Sequence, residues 1–143
     1  KYPEFKGRIE KAGLGSTIYA VKPGDGSARE QAASCQRVLG ASANIASDYA
    51  TKRYRSNLIN WGMIPFLYKQ GDTDATENLP FANGDYIFVP DAKKMIAEKL
   101  PSIKAYAVRA DGTTAEFELT TGDMTDDERK IIQAGCLINF YRG

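Results

Sequence analysis

The sequence contains no histidine in its 143 residues. Histidine is the side chain that most often acts as a general base near neutral pH, because its ordinary pKa lies in that range. Without it, proton transfer must use a serine, a tyrosine, a lysine or a carboxylate with a shifted pKa. This absence narrows the mechanisms open to any active site in the chain.

The sequence also has little net charge, no long apolar run and two cysteines. The charges nearly cancel, with 19 Lys and Arg against 18 Asp and Glu, so no net field attracts nucleic acid or a membrane surface. No apolar run approaches the roughly 18 residues of a membrane span, and the opening residues lack a signal-peptide pattern. Cys35 and Cys136 match neither zinc nor iron–sulfur spacing. We expect buried free thiols and a cytoplasmic location.

What is present is typical of a globular protein. The hydrophobic share is 43% and the charged share 26%, and 143 residues suffice to bury a core of their own. We therefore predict a single domain over residues 1–143. Because the chain opens at Lys1 without a methionine, we expect it to be a fragment of a larger polypeptide.

Strand and helix patterns alternate along the chain, which predicts a layered α/β fold around a mixed sheet. The apolar face of the first helix is predicted to hold Ala32, Cys35 and Leu39. The pattern predicts strands at 16–21, 41–46, 63–68 and 86–89, a further strand near Ile9, helices at 28–39, 48–61 and 92–100, a polar loop at 69–79, a hairpin at 103–121 around an Asp111-Gly112 type I′ turn, and a closing helix capped by Thr125 and Glu128.

The stretch Gly24-Asp-Gly-Ser-Ala-Arg-Glu-Gln-Ala-Ala33 is where we expect chemistry. Glycines such as Gly26 allow the backbone to approach a ligand closely. The N-terminus of the following helix offers free N–H groups, so Ser27 and Arg29 would lie where an anion is easily held. Taken locally, Ser27 and Glu30 form a capping box that needs no function. Both interpretations stay open on these residues alone.

Three segments together resemble the C-terminal swivelling domain of the aconitase superfamily. The glycine stretch is similar to the family's Gly-acidic-Gly-Ser-Ser-Arg-Glu-His-Ala-Ala loop. The run from Asp48-Tyr-Ala50 through Ser56-Asn57 to Gly62-Met-Ile-Pro65 resembles its Ser-Phe-Ala, Asn and Gly-Leu-Leu-Pro segment, with one extra residue here. The run from Ile131 through Ala134-Gly135 to Leu137-Ile-Asn139 resembles its closing helix.

The resemblance implies a layered β/β/α swivelling domain with a barrel-like mixed sheet flanked by helices. It also implies a hydro-lyase in which Ser27 acts as an alkoxide base and Arg29 binds a substrate carboxylate, with Gly26 and Ala28 beside them. The family's 4Fe–4S cluster would be held by other domains of the same polypeptide, and this chain would hold no metal. A small hydroxy-carboxylic acid is the implied substrate, and nucleic acid and membrane are not expected partners.

This sequence departs from the family at three places. Ala28 stands where the loop has a second serine, and Gln31 stands where it has a histidine. The family's upstream Asp-His-Ile-Ser segment and its following arginine have no match between Lys1 and Pro23. These departures favour a hydroxy acid other than citrate.

Three alternatives remain at this point. The domain could be a separate small subunit, as in isopropylmalate isomerase-like enzymes. It could be a non-catalytic module that binds an anion or RNA through Arg29, Lys52, Arg53 and Arg55. It could also be an unrelated α/β domain in which the glycine turn is only structural.

Overall fold

Two three-stranded sheets form the framework of the part that the computed structural model describes, residues 15–68 and 79–142. The first sheet is parallel, in the order β1-β2-β3, and the second is antiparallel, in the order β4-β5-β6. The strands are β1 (Ser16–Ala20), β2 (Ala41–Ala46), β3 (Ile64–Leu67), β4 (Tyr86–Phe88), β5 (Ile103–Val108) and β6 (Thr114–Leu119), and the helices are α1 (Arg29–Val38), α2 (Lys52–Asn60), α3 (Ala92–Ala97), α4 (Asp126–Ala134) and α5 (Leu137–Arg142).

One backbone bridge joins the two sheets. The Leu67 N–H donates to the Thr120 carbonyl at 2.6 Å, and the Thr120 N–H donates back to the Leu67 carbonyl at 2.9 Å. The predicted α/β class is confirmed, with helices flanking parallel and antiparallel strands. The expected barrel-like closure is not formed by the described strands, because β1 and β4 are left as the open edges of this arrangement. The strand expected near Ile9 lies outside the described residues, and so do residues 69–78 of the loop expected at 69–79.

The main core lies between the two sheets and α4. Side chains such as Ile45 and Phe66 from the first sheet meet Phe117 and Leu119 from the second, and all four are almost fully buried. Strand β6 alternates between the core and the surface: Phe117 and Leu119 are buried while the intervening Glu118 is exposed. This shared core fixes the position of the first sheet, which carries the glycine loop.

Helix α1 agrees with prediction in its limits but not in its buried face. Ala33 is fully buried, whereas Ala32 and Cys35 are exposed and Leu39 is 82% exposed. The helix packs on the first sheet through a small side chain, and the predicted apolar face points away from it. The expectation of buried thiols is therefore wrong for Cys35, and Cys136 is half-buried between α4 and α5.

Helix α2 begins four residues later than predicted. Its N-cap is Thr51, whose hydroxyl accepts from the Tyr54 N–H at 3.1 Å. The residues expected to open the helix instead run alongside the chain that leaves β1: the Asp48 N–H donates to the Val21 carbonyl and the Ala50 N–H to the Pro23 carbonyl. This pairing fixes the start of the glycine loop.

The ends of α2 and α4 meet backbone to backbone. Gly62 and Gly135 both have positive φ, and a Cβ on Gly62 would collide with the Gly135 carbonyl. The capping box predicted at Thr125 is confirmed, but the closing helix is broken at Gly135, which adopts the left-handed conformation. Two of the three segments that resemble the aconitase family are thereby brought into contact.

The hairpin between β5 and β6 is confirmed, but its turn differs from the prediction. A type I′ turn needs positive φ at both central residues. In the described part, Gly112 has a φ of 88° while Asp111 is not among the residues with positive φ. The turn instead closes through a hydrogen bond from the Gly112 N–H to the Arg109 carbonyl.

Among the described helices, none has the length and apolar character needed to cross a membrane.

Candidate functional site

The glycine loop lies between the end of β1 and the start of α1, at the carboxyl edge of the parallel sheet. Ligands of open α/β sheets bind outside this edge. Gly24 has a φ of 98°, a conformation that side-chain-bearing residues rarely adopt. A Cβ on Gly24 would lie 2.5 Å from the Cβ and Cγ atoms of Tyr54. The loop therefore requires glycine here, for both its conformation and its contact.

Tyr54 gives the loop a rigid support. The residue is 2% exposed, and its hydroxyl receives hydrogen bonds from the Gln36 side chain of α1 at 3.0 Å and from the Asn44 side chain of β2 at 3.1 Å. Tyr54 is part of a buried cluster with Leu58 and Met63. Its contact with the loop had no signal in the sequence, because the two residues are distant along the chain.

Arg29 folds back over the loop. Its Nε donates to the Gly24 carbonyl at 3.1 Å, and its side chain is half-buried. This bond uses one of the five N–H donors of a guanidinium. The residues that the structure describes offer no hydrogen-bond partner to the other four. The terminal nitrogens of Arg29 are therefore available to a carboxylate or another anion.

Ser27 is exposed and does not cap the helix. The N-cap of α1 is Ala28, with φ −87° and ψ 45°, and no side chain caps this end. The predicted capping box of Ser27 and Glu30 is therefore wrong, because the helix begins one residue too late for the serine to serve it. The Ser27 hydroxyl is left without that structural role. Gly26 beside it is open, with no atom within 4 Å of the position that a Cβ would occupy.

A shallow depression of about 330 Å³ lies beside the loop. Three of the four predicted site residues, Gly26, Ala28 and Arg29, contribute to its wall, while Ser27 lies between them on the exposed loop. Its full lining is Pro23, Gly24, Gly26, Ala28, Arg29, Ala32 and Tyr54. The depression thus combines one cationic side chain with mostly apolar walls, which suits a carboxylate that carries a hydrocarbon portion.

A larger hollow of about 500 Å³ lies between the end of α3, the chain that follows β6 and the start of α4. Its cationic side chains are Lys99 and Arg129, and both form ion pairs with Asp126, at 2.8 and 3.2 Å. The Asp126 carboxylate also has its pKa held below the ordinary value, first by the hydrogen bond from Lys99. The charges of this hollow are compensated, so we place the candidate site at the glycine loop.

The predicted basic surface on α2 is only partly formed. Arg55 is 16% exposed and pairs with Glu128 at 3.4 Å. Its Nη2 donates to the carbonyls of Thr121 and Asp123, each at 3.0 Å. Arg55 thus connects α2 to the chain before α4, and its inclusion in an anion- or RNA-binding surface is wrong. Lys52 and Arg53 are exposed.

The side chains present do not fit an iron–sulfur cluster. Such a cluster is held by cysteine thiolates, four in the common types, whereas the sequence has two cysteines. Within residues 15–68 and 79–142, no three His, Cys, Asp or Glu side chains are grouped so that they could hold a metal ion.

The chain is similar to known proteins over most of its length. Residues 8–71 match the Aconitase C-terminal domain family, a range that contains the glycine loop and all of β1 to β3. The chain is 27% identical over 129 residues to aconitate hydratase A of Rickettsia bellii, which covers 90% of the chain and 14% of that protein. It is 30% identical over 118 residues to a 2-methylcitrate dehydratase (2-methyl-trans-aconitate forming) of Shewanella oneidensis, covering 82% and 13%. The chain thus spans about one-seventh of the length of these curated relatives.

Proposed function

This chain belongs to the aconitase family as a C-terminal domain, and on that premise we propose that it forms the substrate-binding and proton-abstracting part of a hydro-lyase. The substrate is a hydroxy-carboxylic acid, of the kind named by the relatives, aconitate and 2-methylcitrate. The observation that carries the proposal is an exposed Ser27 hydroxyl two positions before Arg29, whose terminal nitrogens are free among the described residues.

Arg29 is proposed to bind a carboxylate of the substrate. A guanidinium can receive a carboxylate through two parallel N–H groups, which fixes direction as well as distance. Because Nε is already bonded to Gly24, the two Nη groups form the end that meets the substrate. The half-buried position of the side chain strengthens the attraction relative to bulk water.

Ser27 is proposed to act as the base. Its alkoxide would take a proton from the carbon next to the carboxylate, forming the O–H bond while the C–H electron pair becomes the new double bond and hydroxide departs from the neighbouring carbon. An alkoxide needs stabilisation, and the N-terminal amides of α1 together with the Arg29 cation are placed close in the chain to supply it. In this His-free chain, a serine activated in this way replaces the usual imidazole base.

The rest of the active site is proposed to lie outside this chain. The family's 4Fe–4S cluster belongs to the larger polypeptide, because the cysteines here do not provide its ligands. We propose that residues 1–143 form one domain that closes as a lid over cluster-bearing domains. The much greater length of the relatives, of which this chain covers 14% or less, supports this over a separate small subunit.

The test is to substitute Ser27 and Arg29 in the longest polypeptide that encodes this domain. Hydration of aconitate and dehydration of 2-methylcitrate are followed by the ultraviolet absorbance of the conjugated double bond. We expect Ser27→Ala to lower kcat by about 10²–10⁴ with little change in KM, and Arg29→Lys to raise KM by about tenfold or more. Ser34→Ala, on the same helix, is the control, since its hydroxyl bonds only within α1 in the described part. Retention of more than a tenth of kcat by Ser27→Ala would contradict the base role.

A further inference from the structure

We propose that Thr51 is a positioning residue for Arg29, acting through the Gly24 carbonyl. This inference rests on the carboxylate-binding role proposed for Arg29. A continuous chain of hydrogen bonds runs from the N-terminus of α2 to the guanidinium, so that the start of one helix sets the direction of a side chain on another.

The distances support such a chain. The Tyr54 N–H donates to Thr51 Oγ1 at 3.1 Å, Thr51 Oγ1 donates to the Gly24 carbonyl at 3.4 Å, and Arg29 Nε donates to the same carbonyl at 3.1 Å. Every donor and acceptor is used consistently. A hydroxyl has one proton to give after accepting, and a carbonyl oxygen has two lone pairs. The three hydrogen bonds can therefore form at the same time.

The acceptor at the centre of this chain cannot move freely. Gly24 is pressed against Tyr54, whose ring is itself fixed by two amide side chains. Thr51 cannot move either, because it is the N-cap of α2. A guanidinium is planar, so fixing its Nε–H restricts where both terminal nitrogens point. Arg29 therefore meets a carboxylate with part of its rotamer freedom already removed, which lowers the cost of binding.

The proposal predicts an effect on substrate binding and not on the chemical step. Thr51→Val keeps the shape of the side chain but removes its donor. A hydrogen bond between neutral groups typically changes an equilibrium by about three- to tenfold. We expect KM for aconitate to rise by about that factor in the full polypeptide, with kcat within about twofold of wild type. Thr51→Ser retains the hydroxyl and should restore the wild-type KM.

Loss of the helix cap is separated from loss of positioning by a matched control. Thr125 is the N-cap of α4 and accepts from the Glu128 N–H in the same way, but no hydrogen bond connects it to Arg29 within residues 15–68 and 79–142. Thr125→Val should lower the thermal midpoint to a similar extent as Thr51→Val while leaving KM unchanged. Equal effects of the two variants on KM would overturn the inference.

A double substitution tests whether Thr51 acts through Arg29. Lysine lacks the guanidinium Nε–H that bonds the Gly24 carbonyl in the wild type, so in Arg29→Lys the series of hydrogen bonds ends at Gly24. Adding Thr51→Val should then change KM by less than about twofold. If the two effects multiply fully, Thr51 does not act through Arg29. If Arg29→Lys raises KM but Thr51→Val does not, the positioning role fails and the proposed function stands. If Arg29→Lys leaves KM unchanged, both fail.

A measurement on the 143-residue chain is independent of turnover. In a ¹⁵N-labelled sample, the Arg29 Nε–H should exchange with water at least about fivefold more slowly than that of the exposed Arg53. Thr51→Val should reduce this protection, and Thr51→Ser should preserve it. Equal exchange of Arg29 and Arg53 in the wild-type chain would also overturn the inference.

Discussion

Replacing Gly24 with alanine tests the central contact of the site. At this position a Cβ would lie 2.5 Å from Tyr54 Cβ and Cγ and 2.6 Å from its Cδ1. The tyrosine ring cannot retreat easily, because it is buried and its hydroxyl is bonded to two other elements. The backbone of Gly24 is also in the positive-φ region, at 98°. The substitution therefore carries two separate penalties.

The two penalties are separated by a series of glycine variants. Positive φ alone costs a residue with a side chain about 1–2 kcal/mol, and forcing an atom into a packed contact costs about 1–3 kcal/mol. Gly24→Ala should thus lose about 2–5 kcal/mol of unfolding free energy. Gly40→Ala, with a φ of 92° but no atom within 4 Å of its Cβ, should lose only about 1–2 kcal/mol. Gly26→Ala has neither penalty and should be neutral or stabilising by up to about 1 kcal/mol.

Urea unfolding of the three variants gives the comparison directly. The sequence has a single tryptophan, Trp61, which lies half-buried at the end of α2 and reports on that region by fluorescence. Circular dichroism follows the whole fold. The reasoning is refuted if Gly24→Ala is no more destabilising than Gly40→Ala, since the contact with Tyr54 would then cost nothing.

Three other predictions concern supports away from the loop. The pKa of Asp126 is lowered in the fold, so its charged form stabilises the fold at pH values above the ordinary pKa of 3.8. This contribution is lost as the pH falls through the lower pKa of the folded state. Asp126→Asn should therefore reduce the thermal midpoint at neutral pH, and the difference from wild type should vanish in acid. Tyr49→Phe should cost about 1 kcal/mol in urea unfolding, because its buried hydroxyl donates to the Phe66 carbonyl at 3.0 Å; an unchanged midpoint would contradict this. Arg55→Lys should cost roughly 2–3 kcal/mol, since an ammonium cannot reach both carbonyls and the carboxylate that Arg55 binds; calorimetry against Lys52→Ala, an exposed neighbour, provides the comparison.

Much of the fold follows from short-range patterns. The limits of β2 and the capping box of α4 agree with prediction, because a short apolar run and cap chemistry are local properties of a few residues. The start of α2 was missed because Ser47 and Asp48 are also good cap residues. Backbone pairing with the exit of β1 holds this segment extended instead. The buried face of α1 was missed because Ala33 carries no more signal than its neighbours.

Only some features of the candidate site can be inferred from the sequence. The loop motif identifies Ser27 and Arg29 as candidates, and the structure gives both an exposed or half-buried position at the expected edge of the sheet. The loop motif could not identify Thr51, because its hydroxyl bonds the Gly24 carbonyl from 27 residues away in the sequence. The pattern of charges also could not show that Arg55 forms an ion pair with Glu128, which is 73 residues away in the sequence. Such pairings are properties of the tertiary arrangement and leave no periodic trace in sequence.

The attachments of the glycine loop all come from the parallel half of the domain, residues 16–67, which is also the half contained in the family match. The antiparallel half adds the bridge at Thr120 and the shared core, but it supplies none of the described hydrogen bonds to the loop. The candidate site and its described supports thus lie together in one half of the domain. A chimaera that exchanges residues 79–142 for those of a relative should therefore keep the loop intact.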